Sequence, residues 1–141
     1  MNNYWAMKTY GEWSDIFIQQ NIIGIDEEGI DDDYRNYQQN NCPITNPRLE
    51  RRFKQFCKWL NIGDYVAVGT GQQTHFNLKM IARVISDYEF DASITNGARH
   101  FRKIEILRLF SDPVPVEKWS QFQRLEFVDS NDFMDTLIYH L

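Results

Sequence analysis

A chain of 141 residues, 43% apolar and 15% aromatic, is long enough to bury one core and too short for two, so a single domain over residues 1–141 is expected. No apolar run approaches the length of a membrane-spanning helix, and no membrane partner is expected. The net charge of −5 excludes a protein that holds nucleic acid by bulk electrostatics alone.

The charge is unevenly spread. Residues 1–40 carry two basic and eight acidic side chains, residues 41–110 eleven and six, and residues 111–141 two and six. A basic middle between acidic flanks fits either an anion-facing surface or an ordinary segregation of solvated faces. The opening MNNYWAMK lacks a charged leader followed by an apolar run and a cleavage site, so no secretory signal is expected. Cys42 and Cys57 stand far apart with no second pair, which fits a reducing compartment and gives no metal spacing. A cytoplasmic protein is the expectation.

In chain order, Tyr4–Lys8 (YWAMK) predicts a short strand, stopped by Thr9, Tyr10 and Gly11. Ser14 predicts the N-cap of a short helix through Ile16, Phe17 and Gln20, which Asn21 closes. Ile22–Ile25 reads as a buried strand. The following DEEGIDDDYR holds six carboxylates that repel one another unless a cation is near, so a solvated loop is expected. Tyr34–Asn46 is polar and amide-rich and also reads as a loop. Asn46 as N-cap and Pro47 at the first helical position open the clearest helix, with Leu49, Phe53, Phe56, Cys57 and Leu60 on one face. Its other face, with Arg48, Arg51, Arg52, Lys54 and Lys58, either tracks phosphates or is merely solvated.

The stretch Gly63–Phe90 is the centre of the chain. Tyr65–Val68 and Leu78–Ile85 predict a hairpin around a segment rich in turn formers. In the second strand Leu78, Met80, Ala82 and Val84 share one parity, while Lys79 and Arg83 alternate with Ile81 and Ile85 on the other, as a curved, nearly closed sheet requires. Asp87–Phe90 then lies at the sheet's rim. After a turn over Ala92–Gly97, Arg99–Phe110 predicts a long strand whose apolar parity slips between Ile106 and Leu107, the sign of a bulge. Pro113 and Pro115 are expected to end it. A turn at Val116–Trp119, a strand at Arg124–Val128 and a helix at Asp132–Tyr139, capped by Ser130 or Asn131, complete the reading. The fold class expected is α+β, a small curved, barrel-like mixed sheet flanked by helices.

Little in the chain suggests catalysis. GTGQQTH lacks the ending of a phosphate-binding loop, no nucleophile elbow occurs, and His75, His100 and His140 are isolated. No enzyme activity, cofactor or metal is expected. Aromatic residues are the richer signal: Trp5, Tyr10, Trp13, Tyr88, Phe90 and others exceed what one small core needs. Stacking a base between such rings is worth ~1–3 kcal/mol and needs no net positive charge.

YWAMK, IIGID before an acidic loop, WLNIGDYVAV, MIARVISDYEF and RHFRKIEIL together resemble an EVE-type domain of the PUA-like superfamily, the group that also contains YTH domains. The likeness spans Tyr4 to Phe110 and is nearest to EVE-like N-terminal domains of methylation-dependent restriction systems of the McrBC type. It implies a small barrel that receives a flipped, modified base of DNA or RNA in an aromatic pocket, in a restriction or defence system with an ATPase or nuclease partner. Lys8 and Thr9 would face the base edge, with Tyr10 and Ser14 just beyond. Gly24, Ile25 and Asp26 would form the opposite lip, and Tyr88 with Phe90 would supply rings. Where family members carry a tryptophan beside the "GI-G" strand this chain has Asp26 and Glu27, and Trp5 or Trp13 would substitute. Backbone contacts would come from Arg48, Arg51, Arg52, His100, Arg102 and Lys103. Two other readings stay open at this point: a small-molecule or nucleotide-derivative binding domain, and a protein-interaction module acting through the acidic flanks.

Overall fold

The computed structural model describes residues 2–39, 44–72, 75–95, 97–116, 125–128, 131 and 135. The predicted turn at residues 117–119 and closing helix at 132–139 therefore lie almost wholly outside the described residues. No helix among those described is long and apolar enough to cross a membrane.

Seven strands form one curled, mixed half-barrel with helices against it, the α+β class expected. In chain order they are β1 (Tyr4–Lys8), β2 (Ile22–Ile25), β3 (Tyr65–Thr70), β4 (Asn77–Val84), β5 (Glu89–Phe90), β6 (His100–Pro115) and β7 (Leu125–Phe127). The spatial order is β2-β6-β4-β3-β1-β7, with β5 also on β6. Only β1 and β3 run parallel, in the register Tyr4↔Tyr65 to Lys8↔Gly69. Parallel neighbours need a long crossover, and the helices supply it. Side chains alternate across β1, so Trp5 and Met7 enter a core shared with Val66, Val68, Met80 and Phe17, while Ala6 packs on the other face with Ala67, Phe76 and Ile81. Both faces are thus covered, which is why β4 shows no clean polar side.

α1 (Gly11–Gln20) crosses the sheet after β1. Asn21 closes it in the left-handed region, φ 54°, a conformation asparagine tolerates. Ser14 is not its N-cap: Tyr10 holds that position, and Ser14 sits one turn inside with its Oγ donating to the Gly11 carbonyl at 2.7 Å. α3 (Pro47–Lys54) begins as expected, the Asn46 side chain accepting from the Arg48 and Leu49 amides. It widens into a π-helical turn over Gln55–Trp59, closed by the Leu60 amide on the Gln55 carbonyl at 2.8 Å.

Two sequence expectations fail for reasons outside local pattern. Tyr34–Gln39 is a helix, α2, not a loop. Its start is fixed because Asp33 Oδ1 accepts from the Arg35 amide and the buried Tyr34 hydroxyl donates to Glu50 at 2.7 Å. Nor do Pro113 and Pro115 end β6, which continues to Pro115 opposite Asn77. Among the described residues this stretch pairs with β4 alone, an edge position where proline is tolerated. The predicted bulge is present: Ile81 pairs with Arg108 and Ala82 with Ile106, leaving Leu107 as the extra residue.

β2 pairs with β6 over His100–Lys103, and β4 pairs with it from Ile104 onward, so β6 is the seam about which the sheet curls. Gly24 lies at that seam, where an added Cβ would stand 2.3 Å from the Ala98 Cβ and 2.9 Å from the His100 carbonyl oxygen. Gly24→Ala is therefore expected to lower stability by about 1–3 kcal/mol through overpacking, read as a lower urea midpoint with an unchanged slope.

Candidate nucleic-acid interface

At the end of β1 the chain turns into α1, and the alternation of β1 decides what faces the helix. Thr9 follows the side of Trp5 and Met7; Lys8 follows Ala6 to the other face, where β7 presents Glu126. The two residues expected to meet a base edge together thus diverge. Thr9 is 6% exposed, its amide donates to the Gly69 carbonyl, and its hydroxyl has no hydrogen-bond partner among the described residues. Such a buried polar atom calls for an explanation, because leaving it dry costs about 1–3 kcal/mol. Beside it on α1, the exposed Tyr10 ring meets the half-buried Trp13 edge-on at 6.5 Å, and Trp13 packs on Phe17. Ser14, buried, accepts a hydrogen bond from Lys79 Nζ of β4 at 3.1 Å, and Lys79 also lies 3.6 Å from Asp15. Sequence reasoning passed over Lys79 and Asp15, although a lysine on a half-apolar strand parity was a visible signal.

The aromatic and cationic residues expected around the other lip are mostly structural. His100 is fully buried, and its ring fixes a chain of hydrogen bonds: Nε2 lies 3.1 Å from the Ile30 carbonyl, Nδ1 lies 2.6 Å from the Tyr88 hydroxyl, and that hydroxyl oxygen accepts the Tyr34 amide at 2.9 Å. The carbonyl can only accept, so Nε2 carries the proton and Nδ1 receives that of Tyr88. Burial pushes the imidazole below the ordinary histidine range, outweighing the Ile30 hydrogen bond. Neither His100 nor Tyr88 is therefore free for a ligand, and Phe90, half-buried, packs on the His100 ring at 4.8 Å. Arg102 is 2% exposed and donates to the Ser86, Phe56 and Leu60 carbonyls, so it does not reach a phosphate. Trp5 is likewise interior, its Nε1 donating to the buried Asp64 at 3.0 Å and its ring stacking on Phe127. Gly24 and Ile25 are buried in β2.

Asp26, at the end of β2, is held by Arg99 through side-chain hydrogen bonds of 2.8 and 2.7 Å. Burial opposes its charge, but the Arg99 contacts together outweigh it and keep the carboxyl below the usual range. Arg99 also pairs with Asp31, Arg52 with Glu27, and Arg35 with Asp33. Three arginines thus hold four of the segment's six carboxylates, while Glu28, Asp31 and Asp32 stay exposed, so the loop is pinned at Asp26, Glu27 and Asp33 and solvated elsewhere.

Among the described residues, those pairings leave a group of cations without ion pairs on α3 and the turn that follows it. Arg83 and Lys103 face Glu105 and Glu89 at 3.8 and 4.0 Å. Arg48, Arg51, Lys54 and Lys58 carry no ion pair among the described residues and recur three or four apart, on one side of the helix and its π-helical extension. Arg52, turned to Glu27, leaves that stripe.

The fold resembles several solved structures. The YTH domain of the Zygosaccharomyces rouxii MRB1 protein, in complex with N6-methyladenosine RNA, matches with TM-score 0.58 and 12% identity over 98% of this chain and 86% of that one. A hypothetical protein from Leishmania major matches with TM-score 0.59 and 11% identity over 99% and 94%. The MmI1 YTH domain matches with TM-score 0.57 and 14% identity over 99% and 96%. At such identities the likeness concerns the fold. No curated protein matches the sequence. Residues 8–127 match the family described as Domain of unknown function (DUF8426), and the chain belongs to that family.

Proposed function

We propose that this domain is a non-catalytic reader of nucleic acid carrying a modified base. The base lodges beside Thr9 on the helix side of β1, with Tyr10 and Trp13 supplying ring surface and the α3 stripe contacting phosphates. The observation that carries the reading is the buried, unpartnered Thr9 hydroxyl next to half-exposed rings, a polar atom that a ligand edge would satisfy. The shared fold with a YTH domain crystallised with N6-methyladenosine RNA supports the ligand class. Arg99, which holds both Asp26 and Asp31, weakens the case for a protein-interaction module working through that flank. A restriction or defence setting, with an ATPase or nuclease alongside, rests on the sequence resemblance to McrBC-type systems.

The test is a titration of matched oligonucleotides with and without a modified base. Wild type is expected to favour the modified strand, and Trp13→Ala to lose about 1–3 kcal/mol of that preference as base stacking is removed. Thr9→Val should reduce the preference while keeping the fold. Arg51→Ala should weaken both strands alike and lower the salt slope by about one. Equal binding of both strands by wild type would overturn the reading.

A further inference from the structure

Resting on that reading, we infer that Lys79 makes the site selective for a base presenting an oxygen acceptor, carbonyl or carboxylate, in preference to one presenting an amino group. The argument is a count of protons. Ser14 has one hydroxyl proton and gives it to the Gly11 carbonyl at 2.7 Å, so toward Lys79 it acts only as an acceptor, at 3.1 Å. The ammonium has three N–H bonds. One goes to Ser14, and Asp15 Oδ1 at 3.6 Å is beyond hydrogen-bond reach, with a side chain 68% exposed and shared with solvent. Lys79 itself is only 21% exposed. A half-buried cation is thus left with one hydrogen bond, one longer ion pair to an exposed carboxylate, and N–H donors to spare.

Thr9 lies across β3 from Lys79. Its amide is bonded to Gly69, and Gly69 pairs with Leu78, the neighbour of Lys79, so the two residues stand either side of β3 at about two strand spacings, roughly 10 Å. A hydroxyl adapts to donor or acceptor, whereas an ammonium only donates, so Lys79 sets the sign of the edge that fits. The N6-methylamino group turned to the lysine would bring N–H against N–H, leaving both unpaired, whereas 5-carboxylcytosine can turn its carboxylate there and its 4-amino group away. Backbone phosphate is the other oxygen source, but Arg48, Arg51, Lys54 and Lys58, without ion pairs among the described residues, are placed for it.

The experiment uses the full chain and single-stranded oligonucleotides that differ at one position: cytosine, 5-methylcytosine, 5-carboxylcytosine, N6-methyladenine, or an abasic site. Wild type is expected to bind the 5-carboxylcytosine strand at least tenfold more tightly than the N6-methyladenine strand. Lys79→Met should bring that ratio below about threefold, and Lys79→Arg should keep most of it. Asp15→Asn, which removes the competing carboxylate without touching the core, should raise the ratio two- to threefold, and it serves where Lys79→Met does not fold. A wild-type preference for N6-methyladenine, unchanged by Asp15→Asn, would overturn the inference and leave the reader function standing. A uniform loss across all strands in Lys79→Met, the abasic one included, would assign the lysine to phosphate and overturn it too. Wild type binding all five strands alike would instead sink the reading on which it rests.

Discussion

Replacing Arg102 with methionine is expected to destabilise the protein by about 3–5 kcal/mol, measured by urea unfolding. The guanidinium is buried with no carboxylate on it; its hydrogen bonds run to the carbonyls of Ser86 at 2.9 Å, Phe56 at 2.9 Å and Leu60 at 2.6 Å. Two of those carbonyls belong to the end of the helical segment, where the macrodipole is negative and the groups lack partners of their own. Methionine fills similar volume but leaves all three acceptors dry, each costing about 1–3 kcal/mol before relaxation. Lysine keeps the charge but not the fork, and should recover only part of the loss. A fall below about 1 kcal/mol for the methionine variant would mean that water reaches these carbonyls and that Arg102 does not tie the helix to β6.

Tyr88→Phe is expected to cost about 2–4 kcal/mol, because one hydroxyl serves both the Tyr34 amide and His100 Nδ1 in a dry site. The same cluster gives a pH dependence with a definite sign. Asp26 and Asp33 favour the charged imidazole and Arg99 opposes it, but burial dominates and the folded state refuses the proton. The unfolded chain accepts it near the ordinary value of about 6.5, so stability is full above that pH and declines below it, by up to about 1.4 kcal/mol per pH unit. Protonation would also set an Nδ1–H against the Tyr88 hydroxyl, whose oxygen is already taken by Tyr34. His100→Gln cannot take up the proton and should flatten the decline between about pH 7 and pH 5. An equal slope in both proteins would show that the imidazole titrates normally.

What the sequence made legible is what depends on neighbours along the chain. The alternation in YWAMK placed β1, Asn46-Pro47 opened α3, and the parity slip at Leu107 located the bulge. What it concealed depends on distant partners. Arg102 reads as a surface cation until Phe56 and Leu60, more than forty residues earlier, are folded against it. Trp5 reads equally well as a pocket ring until Asp64 takes its indole proton. Tyr34 shows no helical periodicity because its helix is held by Tyr88 and Glu50 from outside. At the candidate site, Thr9 and Tyr10 were visible as the end of a strand, but Lys79 joins them only through its reach to Ser14 on α1, 65 residues earlier.

The place of β1 has a consequence for how the molecule is made. β1 lies between β3 and β7, pairing Trp5 with Val66 on one side and with Phe127, more than a hundred residues later, on the other. Its hydrogen bonds to β7 stay unmet until Phe127 has been made, so the contacts of β1 are long-range and its full pairing comes late. Until then Trp5 and Met7, both buried in the finished fold, sit on a strand with one edge uncovered.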